Sequence, residues 1–191
     1  LVILLITAVI TFNETLGIGK KLLFNDSVII DYLSSFMKIV TLLAAFLVLI
    51  ISSNYLRIFK IFKIEYPILI LSSVLGMMVM ISSNDLIVFY MGLELQSLAL
   101  YVLATFNRDQ LKSSEAGLKY FVLSALSSGL LLYGCSLIYG FTGSTNFNII
   151  ADQLNSNQYA LTFGIVFILV GLAFKISAVP FHMWAPDVYE G

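Results

Sequence analysis

The sequence has few charged residues for its length. Asp, Glu, Lys and Arg make up 11% of the 191 residues, whereas 60% of the residues are hydrophobic. A soluble globular domain has roughly 25% charged residues, so this chain cannot cover a water-facing surface of ordinary size. The mean hydropathy of +0.99 agrees with this conclusion. The composition therefore excludes an ordinary soluble domain and indicates that lipid is the main solvent of the chain.

The sequence also lacks an excess of charge of one sign and the residues of a metal or phosphate site. A formal net charge of -1 excludes a basic nucleic-acid binder. The single cysteine, Cys135, cannot form an internal disulfide or supply the ligands of an iron–sulfur cluster. No group of residues has metal-ligand spacing, and Gly17-Ile-Gly19 lacks the spacing of a phosphate loop. We expect no metal, cofactor or nucleic acid to bind this chain.

Long apolar runs are what the sequence has instead. A helix needs about 20 mostly apolar residues, at about 1.5 Å each, to cross roughly 30 Å of hydrocarbon. Residues 1–10 indicate the end of one membrane helix, whose start we expect to be missing. We therefore expect an all-α polytopic membrane protein with about six transmembrane helices in a single domain, residues 1–191. Five further runs predict the other membrane helices, at 33–53, 66–83, 86–106, 116–140 and 161–179.

The connections between these runs hold most of the charge and predict an orientation. The connections 54–65 and 107–115 have five Lys or Arg residues. The connections on the opposite side, 13–32, 83–85 and 141–160, have two. The positive-inside rule therefore places the first pair in the bacterial cytoplasm or the mitochondrial matrix.

Glu94 is an informative charge because it falls near the middle of a predicted membrane helix. It lies eight residues after the start of the run 86–106, or roughly 12 Å along the helix axis. Tyr90, Ser97 and Tyr101 share its helical face and form a polar stripe. Burial disfavours a charged carboxyl and a nearby cation favours it, so Glu94 is a tunable proton site. The alternative is a carboxyl that serves as a static hydrogen-bond partner between helices.

Lys175 lies near the end of the predicted helix 161–179. Gly164 and Gly171 share its face, and such small residues let helices approach closely, so we expect this face to pack on protein. Pro180 follows and has no amide hydrogen, which predicts a helix break there. Broken helices at membrane depth are tolerated where they line a cavity or are buried in protein. The alternative is a lysine that reaches the interface from a helix that simply ends.

Two further titratable residues carry weaker signals. Lys119 lies one turn inside the run 116–140, with Glu115 four residues before it; this pair also fits a lysine that reaches the membrane interface. His182, the single histidine, titrates near neutrality and could pass protons, although a lone histidine is more often a structural residue. The segment 124–136 is rich in Ser and Gly, and we interpret it as a helix-packing seam.

Three stretches resemble a known family of membrane proteins. They are Gly92-Leu-Glu-Leu-Gln-Ser-Leu98, Glu115-Ala-Gly-Leu-Lys-Tyr120 and Gly171-Leu-Ala-Phe-Lys-Ile-Ser-Ala-Val-Pro-Phe-His-Met-Trp-Ala-Pro-Asp-Val-Tyr-Glu-Gly191. The stretches are similar to the antiporter-like subunit 2 (subunit N in bacteria) of proton-translocating NADH:ubiquinone oxidoreductase, respiratory complex I. The resemblance covers about residues 60–191, and its last motif is the most specific of the three.

The resemblance implies a fold and a set of site residues. Family members have about fourteen transmembrane helices, including two inverted five-helix repeats with one broken helix each. This chain would cover roughly the second to seventh helices and lack the second repeat. Glu94 is similar to the glutamate of the family's fifth helix, and Lys175 to the lysine at the break of the seventh. Lys119 resembles a lysine of the sixth helix, and His182 a histidine just after the break.

The resemblance also implies a function. Protons would move along charged side chains while quinone is reduced elsewhere, with Glu94 and Lys175 as a coupled ion pair. NADH, FMN, iron–sulfur clusters and ubiquinone would bind other subunits, and the partners would be other membrane-arm subunits. The location would be the inner mitochondrial or the bacterial plasma membrane. The alternatives are a subunit of a related cation/proton antiporter complex, a structural membrane-arm piece without its own proton route, and an independent solute transporter.

Overall fold

The computed structural model describes residues 1–15, 19–58, 61, 63–153 and 158–190. These residues are mostly helical and contain one short antiparallel hairpin. The helices are α1 (Val2–Thr15), α2 (Tyr32–Ile58), α3 (Glu65–Ile81), α4 (Leu86–Ala104), α5 (Leu111–Thr142), α6 (Phe147–Gln153), α7 (Gln158–Lys175) and α8 (Ala185–Glu190). The hairpin consists of β1 (Lys21–Leu23) and β2 (Val28–Ile30), with Leu22 opposite Ile29.

The predicted membrane runs all lie on helices, but the helices differ in length. Among the described residues, α2, α4 and α5 are long and apolar enough to cross a membrane. The helices α1, α3 and α7 have shorter apolar stretches. The prediction of a mostly helical membrane protein is therefore confirmed with three candidate spans. The all-α prediction is wrong at residues 21–30, where the backbone forms the hairpin.

The helix α5 is longer at both ends than the predicted run 116–140. It begins at Leu111, directly after Gln110, whose backbone is extended (φ -100°, ψ 124°). It ends where Gly143 adopts a left-handed conformation (φ 67°) and donates its amide hydrogen to the carbonyl of Tyr139. As a result Lys112 belongs to the helix rather than to the connection, on the same face as residues 115 and 119.

The first of two compact units contains residues 1–84 and 91–100. Its core is formed by Leu4 of α1, Leu42 of α2 and Val74 of α3, all at most 3% exposed. The helices α3 and α4 approach closely at two glycines. A Cβ atom at Gly76 would lie 2.5 Å from the backbone nitrogen of Gln96, and one at Gly92 would lie 2.7 Å from that of Met80. This crossing fixes the part of α4 that carries Glu94.

The second compact unit contains residues 85–90 and 101–191, and its main contact joins α5 to α7. The two helices run antiparallel along a seam of small residues. A Cβ atom at Gly134 would lie 2.7 Å from the carbonyl oxygen of Gly164. The hydroxyl of Ser127 donates a hydrogen bond to the carbonyl of Gly171 at 3.1 Å. The predictions that 124–136 is a packing seam and that the glycine face of α7 packs on protein are therefore confirmed.

Side-chain hydrogen bonds hold the connections within each unit. Asp85 caps α4, since its carboxylate accepts the amide hydrogen of Ile87 at 2.8 Å and the hydroxyl of Thr145. In the first unit, the side chain of Asn84 donates to the carbonyl of Asp26 at 2.8 Å. The predicted orientation of the connections across the membrane stays a prediction.

The glycine seam predicts that adding one methyl group to α5 has opposite effects at two nearby positions. In Gly134→Ala, the new Cβ meets backbone oxygen of α7, so we expect about 1–3 kcal/mol of destabilisation. In the control Gly129→Ala, the new Cβ meets nothing within 4 Å, and alanine favours helix, so stability should stay equal or rise slightly. Thermal unfolding of the purified full-length subunit in detergent measures both, and equal melting temperatures would contradict the seam.

Candidate functional site

The end of α7 determines where Lys175 sits. Lys175 is the last residue of the helix. Ser177 then adopts a left-handed conformation (φ 55°) and donates its amide hydrogen to the carbonyl of Phe174 at 3.0 Å. The amide of Ala178 donates to the carbonyl of Ala173 at 2.8 Å. These two hydrogen bonds form a Schellman motif, which terminates an α-helix and satisfies its last carbonyls.

The interruption of the helix therefore begins earlier than the sequence predicts. Pro180 led us to extend the helix to residue 179, because proline is the strongest stop signal in the sequence. The reversal at Ser177 ends the helix before Pro180 is reached, and Pro180 lies exposed in the segment 176–184 that connects α7 to α8. A serine in the left-handed region gives no sequence signal comparable to a glycine, and for this reason the earlier stop was missed.

Lys175 has a specific hydrogen-bond partner inside the second unit. Its ammonium donates to the hydroxyl of Tyr101 at 2.9 Å and lies 5.6 Å from the centroid of that ring. Tyr101 is only 6% exposed and Lys175 is half-buried, so this contact is largely shielded from solvent. A tyrosine hydroxyl can accept one hydrogen bond and donate another, which makes it a suitable neighbour for a group that exchanges protons.

Aromatic rings surround this hydrogen bond. The ring of Tyr101 packs edge-on against Tyr120 of α5, with centroids 4.8 Å apart. Tyr120 in turn stacks on Trp184 at 4.5 Å and an interplanar angle of 11°. The indole N–H of Trp184 donates to the carbonyl of Phe174 at 3.2 Å. The segment after the helix interruption is thus folded back onto the last turn of α7 and onto α5.

Glu94 lies on the same helix as Tyr101, two turns earlier by residue spacing. It is half-buried and belongs to the first compact unit, whereas Lys175 belongs to the second. The predicted ion pair between Glu94 and Lys175 therefore stays a prediction. Between Glu94 and Tyr101 on the polar stripe, Ser97 donates its hydroxyl hydrogen bond to the carbonyl of Leu93 at 2.9 Å.

Lys119 forms two ion pairs, of which the sequence predicts one. Its ammonium lies 2.8 Å from the carboxylate of Glu115, four residues earlier on α5, as the spacing predicts. It also lies 2.8 Å from the carboxylate of Asp187 on α8, which is 68 residues away in sequence and could not be predicted from spacing. Lys119 thus has one charged partner on its own helix and one on α8.

These charges line a polar cleft of about 180 Å³. A second ion pair, Lys112 with Glu190 at 3.1 Å, also lines this cleft. His182 is exposed on the connecting segment, and its backbone carbonyl accepts a hydrogen bond from the amide of Ala185 at 3.1 Å. Within the described residues, no group of three or more His, Cys, Asp and Glu side chains could hold a metal ion.

Comparison with known proteins identifies relatives of this arrangement. Residues 83–191 match the family model for the transmembrane region of NADH:quinone oxidoreductase and Mrp antiporters. The chain is 77% identical to NADH-quinone oxidoreductase subunit N of Pelagibacter ubique over 188 residues, which are 98% of this chain and 40% of the relative. It is 60% identical to subunit N of Maricaulis maris over 91% of this chain and 36% of the relative. The chain therefore spans about 40% or less of the length of these relatives.

Chains of three solved membrane complexes have folds similar to this one. A chain of respiratory complex I from Thermus thermophilus with bound aureothin has a TM-score of 0.80 at 29% identity, over 98% of this chain and 40% of that one. A chain of an archaeal membrane-bound sulfane sulfur reductase has a TM-score of 0.82 at 26% identity, over 98% and 41%. A chain of the Mrp complex from Dietzia sp. has a TM-score of 0.68 at 26% identity, over 85% and 30%.

The left-handed stop at Ser177 predicts how substitutions there change stability. Glycine tolerates positive φ and has no Cβ penalty, so Ser177→Gly should raise the free energy of unfolding by up to about 1 kcal/mol. The matched variant Ser177→Val should lower it, because a β-branched residue is strongly disfavoured at positive φ. The melting temperatures of the unchanged full-length subunit and of the two variants are measured in detergent. A higher melting temperature for Ser177→Val than for Ser177→Gly would be inconsistent with this helix stop.

Proposed function

The chain belongs to the NADH:quinone oxidoreductase/Mrp antiporter transmembrane family, and from this membership we propose that it is part of the antiporter-like subunit of a proton-translocating NADH:quinone oxidoreductase. The observation that carries the proposal is the hydrogen bond from Lys175 to Tyr101 at an interrupted helix in an apolar chain. An ionisable group retained among membrane helices is a sign of an ion or proton pathway. The names of the most similar curated relatives support the same enzyme complex.

The proposal includes the rest of the fold and its surroundings. We place this chain at roughly the second to seventh of about fourteen transmembrane helices, so that all six apolar helices cross the bilayer. Its partners are then the other membrane-arm subunits, and its location is the bacterial plasma membrane, in agreement with the bacterial relatives. NADH, FMN, the iron–sulfur clusters and ubiquinone bind to other subunits.

The proposed mechanism uses charge coupling between Glu94 and Lys175. Opposite charges in a medium of low dielectric constant stabilise one another's ionised forms. When quinone reduction elsewhere in the complex changes the local charge, the pair separates. The ammonium of Lys175 then loses the charge that stabilises it and releases its proton, while Tyr101 keeps the nitrogen oriented through its hydroxyl.

Two other side chains take part in the same proposed route. Lys119 lies on α5, one residue before Tyr120, whose ring contacts Tyr101. It lines the polar cleft, and in the proposed route it exchanges protons with water there. His182, on the segment after the interruption, passes protons onward from that segment.

A second candidate function is proton/cation antiport in an Mrp-type complex. The family model covers both kinds of complex, and the Mrp structure from Dietzia sp. has the same fold over 85% of the chain. Sodium-dependent transport by membranes that do not oxidise NADH would select this function. A third possibility, a structural piece without its own proton route, would be selected by normal pumping after both Glu94 and Lys175 are neutralised.

Neutralising either charge of the coupled pair tests the proposal directly. In the assembled enzyme, Glu94→Gln and Lys175→Met should each remove most proton pumping, because the remaining charge has no partner to couple with. Lys112→Met is a matched control, since that lysine is 76% exposed. The measurement is the number of protons pumped per NADH oxidised in membrane vesicles, with assembly checked on native gels. An unchanged ratio in both variants would rule out the proposed route.

The hydrogen bond to Tyr101 gives a finer test. Tyr101→Phe removes only the hydroxyl that accepts from Lys175. A hydrogen bond to a charged group contributes about 1.5–3 kcal/mol, so the rate of proton pumping should fall roughly 10- to 100-fold. Tyr133→Phe is the matched control on α5, because Tyr133 is 54% exposed and its ring contacts Phe167, about two turns before Lys175 on α7. Equal pumping rates in the two variants would show that the hydroxyl has no role.

A further inference from the structure

We propose that Asp187 is a positioning residue for the Lys175 site, and that it acts through its ion pair with Lys119. The inference rests on the proposed function and adds a residue to it. Asp187 lies on the short helix α8, after the helix interruption, whereas Lys119 lies on α5. Their ion pair at 2.8 Å therefore connects two elements that are far apart in sequence.

Lys119, Glu115 and Asp187 form a cluster of three charges, in which the two carboxylates have different roles. Glu115 and Lys119 belong to one helix, so their ion pair cannot fix one element against another. Asp187 comes from α8, so only its ion pair holds the segment after the interruption in place through Lys119. The outer ion pair, Lys112 with Glu190, also joins these elements, but both side chains are about three-quarters exposed. Water screens such a pair strongly, and it contributes little.

A continuous series of contacts leads from Asp187 to Lys175. Trp184 lies three residues before Asp187, is 7% exposed and stacks on Tyr120, the neighbour of Lys119. Tyr120 packs edge-on against Tyr101, which accepts the hydrogen bond from Lys175. The ion pair and the stacked rings thus hold adjacent residues of α5 against the same segment.

This arrangement has a direct consequence for the proton site. When the ion pair between Asp187 and Lys119 is lost, Lys119 keeps its ion pair with Glu115. The helix α8 then loses the less exposed of its two ion pairs with α5. The indole of Trp184 then moves away from Tyr120, and the ring of Tyr120 that supports Tyr101 loses its own stacking partner. The hydroxyl of Tyr101 is displaced from the ammonium of Lys175. Asp187 therefore sets the geometry of a site that it does not touch.

Variants of Asp187 in the assembled full-length enzyme test this inference. Asp187→Asn should lower the rate of proton pumping by roughly 2- to 30-fold, the range in which side chains that link two sites change their coupling. Asp187→Glu keeps the charge and should restore most of the rate. Glu190→Gln removes only the outer ion pair and should pump like the unchanged enzyme. Proton-pumping rates are measured in membrane vesicles that oxidise NADH, under the same conditions as for the Lys175 variants.

A structural readout separates positioning from a general loss of stability. In a cryo-electron microscopy map of the assembled Asp187→Asn enzyme, we expect the indole of Trp184 to have left its stacked position on Tyr120. If this variant does not assemble, Lys119→Gln removes the same ion pair from the α5 side and should give the same displacement. An unmoved indole in the variant that assembles overturns the inference.

The outcomes also distinguish this inference from the function on which it rests. Normal pumping in Asp187→Asn together with lost pumping in Lys175→Met overturns the role of Asp187 and leaves the proposed proton route intact. Normal pumping in both variants overturns the proposed route itself. Equal losses in Asp187→Asn and Asp187→Glu overturn the role of the ion pair, since the conservative variant keeps the charge.

Discussion

The end of α7 at Lys175 is the constraint on which the site depends. A helix that continued to Pro180 would carry the chain after Lys175 further along the same axis. The left-handed Ser177 instead reverses the chain, so that Trp184 reaches back to the carbonyl of Phe174 and the ring of Tyr120. The ring of Tyr101 packs edge-on against Tyr120, on which Trp184 stacks, while the hydroxyl of Tyr101 accepts from Lys175. The backbone conformation of Ser177 therefore brings Trp184 to the aromatic rings beside Lys175.

Small residues on α5 and α7 let the two helices pack closely, and this packing holds the site in place in lipid. Burial from water drives helix association weakly there, so close backbone approach and interhelical hydrogen bonds matter more. The α5–α7 contact has both, in the glycines Gly134 and Gly164 and in the hydrogen bond from Ser127 to Gly171. Gly171 lies one turn before Lys175 on α7. The seam that joins the two helices therefore also fixes the position of Lys175 along α5.

The sequence predicts the features that depend on composition and short spacing. The apolar runs, the small-residue seam and the ion pair of Lys119 with Glu115 all follow from residue type and helical period. The ion pair of Lys119 with Asp187 does not, because it depends on the path of the chain after the interruption. The helix stop at Ser177 was missed for a different reason, since a serine at positive φ looks like any other serine in sequence.

The two lysines of the second unit are suited to different tasks by their partners. Lys119 lies between two carboxylates, and separating its ammonium from either carboxylate requires work against charge attraction. Such a group is suited to holding α5 and α8 together. Lys175 donates to the hydroxyl of Tyr101, which can accept one hydrogen bond while it donates another. A hydroxyl of this kind can keep a nitrogen in place before and after its proton leaves, because its own hydrogen can turn toward the neutral amine. Lys175 therefore has the partner suited to the proton exchange proposed for it, whereas Lys119 has partners that join two helices.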